Sequence, residues 1–124
     1  MRLVKQRHAS DCGVACVAML ADVSWEEANL TIFGRVKERG FYTQTADLRD
    51  ALRRLGVILE IRMKVCRAPR RLRRDALLKT NTRKGGYWHW AVWDAERQEI
   101  LDPYGYKAIR PVSCIPVLKR EKSN

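Results

Sequence analysis

The stretch that decides the fold is QRHASDCGVACVAML, residues 6–20. It is polar in its first half and small or apolar in its second half. Ser10 and Asp11 are both favoured at helix N-caps, because a short side-chain oxygen accepts a hydrogen bond from the free N–H groups of the first turn. A helix that is apolar on all sides is usually buried on all sides. The stretch therefore predicts a buried central helix over residues 12–21, with Cys12 at its start.

Two interpretations of Cys12 follow from this position. At the start of a helix, the dipole and the unpaired amides favour an anion, so a thiol there is expected to have a lowered pKa. A larger thiolate fraction is what a nucleophilic cysteine needs. Free cysteines are also among the most buried residue types, and most of them only pack. Position alone leaves both roles open, and the rest of the chain has to decide between them.

Length and composition bound the class of protein. A chain of 124 residues with 46% apolar residues predicts a single domain over residues 1–124, large enough to bury a core. No apolar run reaches the ~18 residues that cross a bilayer, and the N-terminus lacks the pattern of a signal peptide. We therefore expect a soluble, cytoplasmic protein without a membrane span.

The four cysteines predict neither a disulfide framework nor a metal site. Disulfide frameworks belong to small secreted chains, and no Cys-x-x-Cys pair is present for a structural zinc. We expect reduced thiols and no cofactor or metal. The cysteines are Cys12, Cys16, Cys66 and Cys114.

The charge is strongly basic, with a formal net charge of +11 and a pI near 10.0. Such a surface attracts acidic partners, which include nucleic acid, anionic membranes and acidic proteins. The densest group of cations lies in residues 67–74, where a solvated face and a binding patch are both open interpretations. Its members are Arg67, Arg70, Arg71, Arg73 and Arg74.

Two more helices are predicted after the first. Ser24 with Glu27 forms a capping box that starts a second helix, which should end near residue 33 before Gly34. Thr45 is the predicted cap of a third helix, stopped by Gly56.

The second half of the chain has the alternation of strands. Residues 57–63 predict one strand, with its odd-numbered residues on one face. Residues 67–74 predict a loop or short helix entered at Pro69. Further strands are predicted over residues 76–79, 87–93 and 98–102, and the last two should form a hairpin. A final strand over residues 109–117 contains Pro111 and Pro116, which favours the edge of the sheet. Residues 119–124 should form a mobile polar tail.

Helices followed by antiparallel strands predict an α+β fold, with the helices packed on one face of a sheet.

The two histidines are His8 and His89, and His89 is predicted within the hairpin. If Trp93 pairs with Gln98, then His89 faces Asp102 with Cβ atoms ~5 Å apart. A slip of one residue would put the two side chains on opposite faces. His89 could equally be a core histidine, and Asp102 an ordinary turn residue before a proline.

These residues together could form an acyl-transfer site. Cys12 would be the nucleophile, His89 the base and Asp102 the group that orients the imidazole. An oxyanion also needs a donor, and the side-chain amide of Gln6 is a candidate beside the backbone N–H of Cys12.

The same residues carry a resemblance to a known family. Residues 6–20 resemble the cysteine signature of the C39 peptidases, which are papain-like bacterial enzymes that process bacteriocin and related leader peptides. The HWAV run at residues 89–92 and the DPYG run at residues 102–105 resemble that family's later signatures. The resemblance implies a papain-like fold, with the nucleophile helix packed on an antiparallel sheet. It also implies the roles named above for Cys12, His89, Asp102 and Gln6.

Three functions are therefore carried forward. The first is a stand-alone thiol peptidase that cleaves a peptide, a protein or a leader peptide, with acidic substrates in view of the charge. The second uses the same apparatus to deamidate or transfer a glutamine or asparagine side-chain amide. The third is a basic module that binds nucleic acid or an acidic protein; binding of nucleic acid is the less favoured reading. The sequence indicates no particular oligomeric state.

Overall fold

Helices form the first half of the protein and strands the second. The computed structural model describes residues 1–121. The helices are α1 (Cys12–Ala21), α2 (Trp25–Phe33) and α3 (Thr45–Arg54), with a short 3₁₀ helix at Pro69–Arg71. The strands are β1 (Val57–Leu59), β2 (Lys64–Val65), β3 (Ala76–Thr80), β4 (His89–Asp94), β5 (Glu99–Leu101) and β6 (Pro111–Arg120).

The strands form one six-stranded sheet in the order β1-β6-β3-β4-β5, and β2 also pairs with β6. Every pair in it is antiparallel. The prediction of an α+β class, with helices packed on an antiparallel sheet, is confirmed.

The sheet has two apolar faces, because side chains alternate along each strand. One face packs against the helices, and α1 is the centre of this main core, with all its residues from Gly13 to Leu20 buried. The other face carries a smaller cluster formed by Ala76, Leu78, Ala91, Trp93 and Cys114. The prediction that the first helix is buried on all sides is therefore confirmed.

The helix boundaries follow local signals closely. The Ser24 hydroxyl accepts from the backbone N–H of Glu27 at 3.0 Å, which is half of the predicted capping box. Gly34 ends α2 with a positive φ of 71°. The predicted cap of α3 was one residue too late: Gln44 is the N-cap, and its backbone N–H donates to the Asp47 carboxylate at 2.8 Å.

The predicted strand over residues 57–63 is shorter than the pattern indicated. Only Val57–Leu59 belong to β1, and Ile61 is 90% exposed. The Arg49 guanidinium of α3 donates to the carbonyls of Glu60 and Ile61, at 2.5 and 3.2 Å. The strand thus ends at Leu59, although the alternation of apolar residues continues, and a side chain of α3 binds the carbonyls that follow.

The predicted edge position of the last strand is wrong. β6 lies inside the sheet, with β3 on one side and β1 and β2 on the other. Pro111 is the first residue of β6, where no ladder donor is needed. The carbonyl of Pro116 accepts from Glu60 at 2.9 Å, so its missing N–H also faces the interruption between β1 and β2. Both prolines are thus placed where a central strand tolerates them.

The predicted tail overlaps β6, which continues to Arg120, and residues 122–124 lie outside the described residues. Within residues 1–121, no helix has the length and apolar character needed to cross a membrane. The single domain over residues 1–124 stays a prediction.

Candidate active site

The mouth of α1 is organised by a buried carboxylate. Asp11 is 0% exposed and accepts three hydrogen bonds of 2.8 Å, from the backbone N–H groups of Arg7 and His8 and from the Trp25 indole. Of the two predicted caps, Asp11 is the N-cap residue of α1 but makes no side-chain cap bond, and the Ser10 hydroxyl accepts from the backbone of Phe41. The first amides of α1 are therefore left uncapped by side chains at the point where Cys12 begins the helix.

Gly13 lets another segment approach the start of α1. A Cβ atom at this position would overlap the Thr43 hydroxyl and press on the Leu48 side chain. The glycine is thus required by a close contact, and it brings the loop before α3 against the residue next to Cys12.

Cys12 is half-buried at this mouth and lines a cleft of about 520 Å³. Burial raises the pKa of its thiol above the ordinary value of 9.0. The backbone N–H groups of Trp90, Gly13 and Cys12 itself act in the opposite direction, and the Asp11 charge adds to the increase. The lowered pKa expected from the helix dipole is therefore not found for the resting thiol, because desolvation outweighs the amides.

Cys16 is a useful contrast one turn further along α1. It is 0% exposed, and burial raises the pKa of its thiol well above 9.0, with smaller contributions from Cys12 and Asp102. Cys16 has the packing role that is usual for cysteine, while Cys12 reaches the cleft.

His89 and Asp102 come together through a register that differs from the predicted one. Trp93 pairs with Ile100 and not with Gln98, so the hairpin is shifted by two residues. Because side chains alternate with a period of two, a shift of two keeps both residues on the same face. Extending the observed register puts Asp102 opposite Ala91, diagonal to His89, and a carboxylate still reaches the imidazole.

The contact between the two side chains is short. Nε2 of His89 lies 2.6 Å from Oδ1 of Asp102, and both side chains are about nine-tenths buried. A carboxylate accepts only, so it selects the tautomer with the proton on Nε2. Nδ1 is then the nitrogen left free to accept a proton. The Thr80 hydroxyl also holds the backbone of His89, donating to its carbonyl at 3.0 Å.

Asp102 is also a turn residue, so both interpretations of it hold. Its carboxylate accepts from the backbone N–H groups of Tyr104 and Tyr106, at 3.0 and 2.6 Å. The Tyr106 ring packs edge-on against the His89 ring, with centroids 4.9 Å apart. The turn therefore fixes the carboxylate, and the carboxylate and Tyr106 together fix the imidazole.

Cys12 and His89 both line the cleft. It is also lined by Trp90, whose backbone N–H lies against the Cys12 thiol and whose chain neighbour is His89. Asp102 stands behind the imidazole and is not part of the lining. The predicted contact between His89 and Asp102 is present, and His89 lines the same cleft as Cys12. The catalytic roles of the three residues stay a prediction.

Gln6 is close to this arrangement but is not part of the cleft lining. Its backbone N–H donates to the Pro103 carbonyl at 2.9 Å, which ties it to the turn after Asp102. Its side-chain Nε2 donates to the His8 carbonyl at 2.8 Å, which leaves one N–H of the amide for another acceptor. The role of Gln6 as an oxyanion donor stays a prediction.

The other candidate groups lie elsewhere. His8 stacks on Phe41 with ring centroids 4.6 Å apart, at an exposed position. The arginines of residues 67–74 are all exposed and do not line the cleft. In residues 1–121, no group of three His, Cys, Asp or Glu side chains is placed to hold a metal ion.

Two contributors were missed by the sequence reasoning. Asp11 is the N-cap residue, but its carboxylate binds the preceding loop and the Trp25 indole, and nothing in its local pattern indicates these partners. Tyr106 could have been found, because an aspartate followed by a tight turn often binds backbone N–H groups a few residues later.

No model of a known protein family matches the chain, and no curated protein is significantly similar to it.

Proposed function

We propose that the protein is a papain-like thiol peptidase similar to the C39 family. The observation that carries the proposal is the 2.6 Å contact between Nε2 of His89 and Oδ1 of Asp102, on a histidine that lines the same cleft as Cys12. Nucleophile, base and orienting group are the parts that acyl transfer requires. The position of the nucleophile at the start of a buried helix packed on an antiparallel sheet agrees with a papain-like fold.

In the first half of the reaction, the Cys12 sulfur attacks the carbonyl carbon of the peptide and its proton passes to Nδ1 of His89. Because the resting thiol has a raised pKa, a nearby base is needed to remove the proton as the bond forms. The oxyanion is stabilised by the backbone N–H of Cys12 and by the remaining N–H of the Gln6 amide. The imidazolium then returns its proton to the amine as the C–N bond breaks.

In the second half, water replaces the amine product. His89 takes a proton from water, the hydroxyl attacks the thioester carbon, and the Cys12 sulfur leaves and recovers its proton. Asp102 accepts a hydrogen bond from Nε2 throughout and stabilises each imidazolium. Atoms and charges balance without a cofactor.

The partner in this proposal is a peptide, a protein or a leader peptide. A cytoplasmic location belongs to the same proposal, because cysteines are kept reduced in that compartment. Binding of nucleic acid to the exposed arginines of residues 67–74 stays the less favoured interpretation, since none of these arginines lines the cleft.

The test compares the two cysteines of α1. The Cys12→Ala variant should lose all turnover and keep its melting temperature, whereas Cys16→Ala should keep measurable turnover. New protein termini, mapped by proteomics after treating a bacterial lysate with each variant, give the readout. Turnover retained by Cys12→Ala would overturn the proposal.

The same experiment separates a peptidase from a deamidase. Fragments of a treated substrate indicate cleavage of the backbone. An intact substrate with a small gain in mass and released ammonia would indicate hydrolysis of a side-chain amide instead.

A further inference from the structure

A second cavity adjoins the cleft on the side of Arg83. Its volume is about 630 Å³, and it shares both Arg83 and Tyr106 with the cleft. Its other lining residues include the cations Lys107 and Arg110. The two cavities thus meet at Arg83 and Tyr106, and we call them together the basic groove, with Cys12 in the lining of the first.

The walls of the basic groove carry positive charge without compensation. Among the residues that line the two cavities, none is Asp or Glu. Four exposed cations lie on the walls, and within residues 1–121 none of them forms a salt bridge. They are Arg83, Lys84, Lys107 and Arg110.

These cations are held on a fixed backbone. The Asn81 side chain clamps two chain segments together, donating to the Ala108 carbonyl at 3.0 Å and accepting from the Arg110 N–H at 2.7 Å. The Arg83 guanidinium donates to the Tyr106 hydroxyl at 3.2 Å, so its orientation is fixed while its charge is not neutralised. Preorganised cations lose less freedom when they bind an anion.

Two exposed tyrosines also line the cleft. Tyr42 is 72% exposed and Tyr87 is 62% exposed, and their ring centroids lie 6.3 Å apart. Exposed aromatic rings at a cleft provide apolar contact area and hydroxyls for hydrogen bonds.

We propose that the basic groove binds an acidic segment of a polypeptide, with its carboxylates on Arg83 and Lys84, and that it selects substrates that are acidic beside the cleaved bond. This inference rests on the proposed function, because it assigns the substrate class of the same site. Guanidinium and carboxylate match in geometry and charge, which makes Arg83 the principal contact. A nucleic acid would find the same charges, but the groove ends at a thiol and an imidazole whose chemistry acts on acyl groups.

Binding is measured with the Cys12→Ala protein, so that the result does not depend on turnover. The probes are three fluorescent peptides of one length and one apolar pattern, with Glu, Gln or Lys at the charged positions. The Glu peptide should bind about tenfold more tightly than the Gln peptide, as two exposed ion pairs allow. The Lys peptide should bind most weakly.

A matched pair of charge variants locates the effect. Arg83→Ala with Lys84→Ala should abolish the preference for Glu over Gln. Arg70→Ala with Arg71→Ala removes the same charge from the 3₁₀ helix, which does not line the groove, and should leave the preference intact. Equal affinity for the Glu and Gln peptides, or an equal loss in both double variants, would overturn the inference.

Two further readouts keep the inference separate from its rivals. A single-stranded oligonucleotide is offered in competition with the Glu peptide. If the oligonucleotide displaces the peptide and has the higher affinity, the groove is a nucleic-acid site and the inference is overturned. Cleavage of the same peptides by the native protein reports on the proposed function. Cleavage without a preference for the Glu peptide would contradict the inference about the groove and leave the proposed peptidase function standing. Selective binding of the Glu peptide without any cleavage would contradict the peptidase function and leave the inference about the groove standing.

Discussion

The two halves of the candidate site are held in different ways. The Cys12 half is continuous with the main core: Asp11 is fully buried, and Gly13 is pressed against another segment. The His89 half depends on a few polar contacts at the open end of a hairpin, chiefly those of Asp102. The difference indicates that damage to the mouth of α1 should lower stability, whereas damage to the hairpin end should lower activity and leave the fold largely intact.

The largest effect is expected at Asp102. Asp102→Ala should lower kcat/KM by about 10²- to 10⁴-fold, because the imidazole loses the acceptor that fixes its tautomer. Asp102→Asn should lose less of its kcat/KM, since the amide oxygen can still accept hydrogen bonds from Nε2 of His89 and from the turn. Kinetics and thermal unfolding of both variants check this. Nearly native kcat/KM in Asp102→Ala would contradict the orienting role.

A smaller but still large effect is expected on the stability side, at Asp11. Asp11→Ala leaves the Trp25 indole and the N–H groups of Arg7 and His8 without their acceptor. We expect a loss of about 3 kcal/mol in the free energy of unfolding, because the buried Trp25 indole N–H costs about 1–3 kcal/mol when unpaired and two part-buried N–H groups lose their acceptor as well.

Asp11→Asn is the matched control, because its single amide oxygen keeps part of this set of hydrogen bonds. Its loss in the free energy of unfolding should therefore be smaller. Urea unfolding measures both values. A loss below about 1 kcal/mol in Asp11→Ala would mean that water replaces the carboxylate, and that the mouth of α1 is more open than its burial indicates.

The same contrast explains what the sequence could predict. The buried helix, the second helix and the α+β class follow from local periodicity and caps, which act within a few residues. The contact between His89 and Asp102 follows from the sequence despite a register error of two residues, because the face of a strand repeats every two.

The features that could not be predicted all depend on distant partners. β6 lies in the centre of the sheet although it contains Pro116, because the ladder beside that proline is interrupted by residues far away in sequence. The apolar alternation continues to Ile61 although β1 ends at Leu59, and the carbonyl of Ile61 bonds to Arg49 of α3, a distant partner. The raised pKa of Cys12 likewise depends on how deeply the folded protein buries the thiol, and no local pattern contains that information.

A third prediction concerns the close contact at Gly13. Gly13→Ala should destabilise the protein by about 1–3 kcal/mol, because the new methyl group overlaps the Thr43 hydroxyl. Thr43→Ala removes that hydroxyl, so the double variant should recover part of the loss. A double-mutant cycle from urea unfolding gives the coupling between the two positions. If the losses of stability in the two single variants add up strictly in the double variant, the clash at Gly13→Ala is relieved by a movement of α1 and not by a movement of Thr43.

The smallest effect is a pH dependence that separates the two cysteines of α1. Burial raises the pKa of the Cys16 thiol well above the 9.0 of an unfolded chain. Above pH 9 the unfolded state therefore loses a proton that the folded state keeps, so this stabilisation is complete below pH 9 and decreases as the pH rises toward the folded pKa. The contribution is about 1.4 kcal/mol for each pH unit in that interval. In Cys16→Ala the free energy of unfolding should fall less steeply between pH 9 and pH 10 than in the native protein. Subtracting one curve from the other cancels the contributions of the lysines and tyrosines, because these residues titrate in both proteins. Parallel curves would mean that the Cys16 thiol ionises inside the folded protein, and the contrast between a packed Cys16 and a Cys12 at the cleft would be lost.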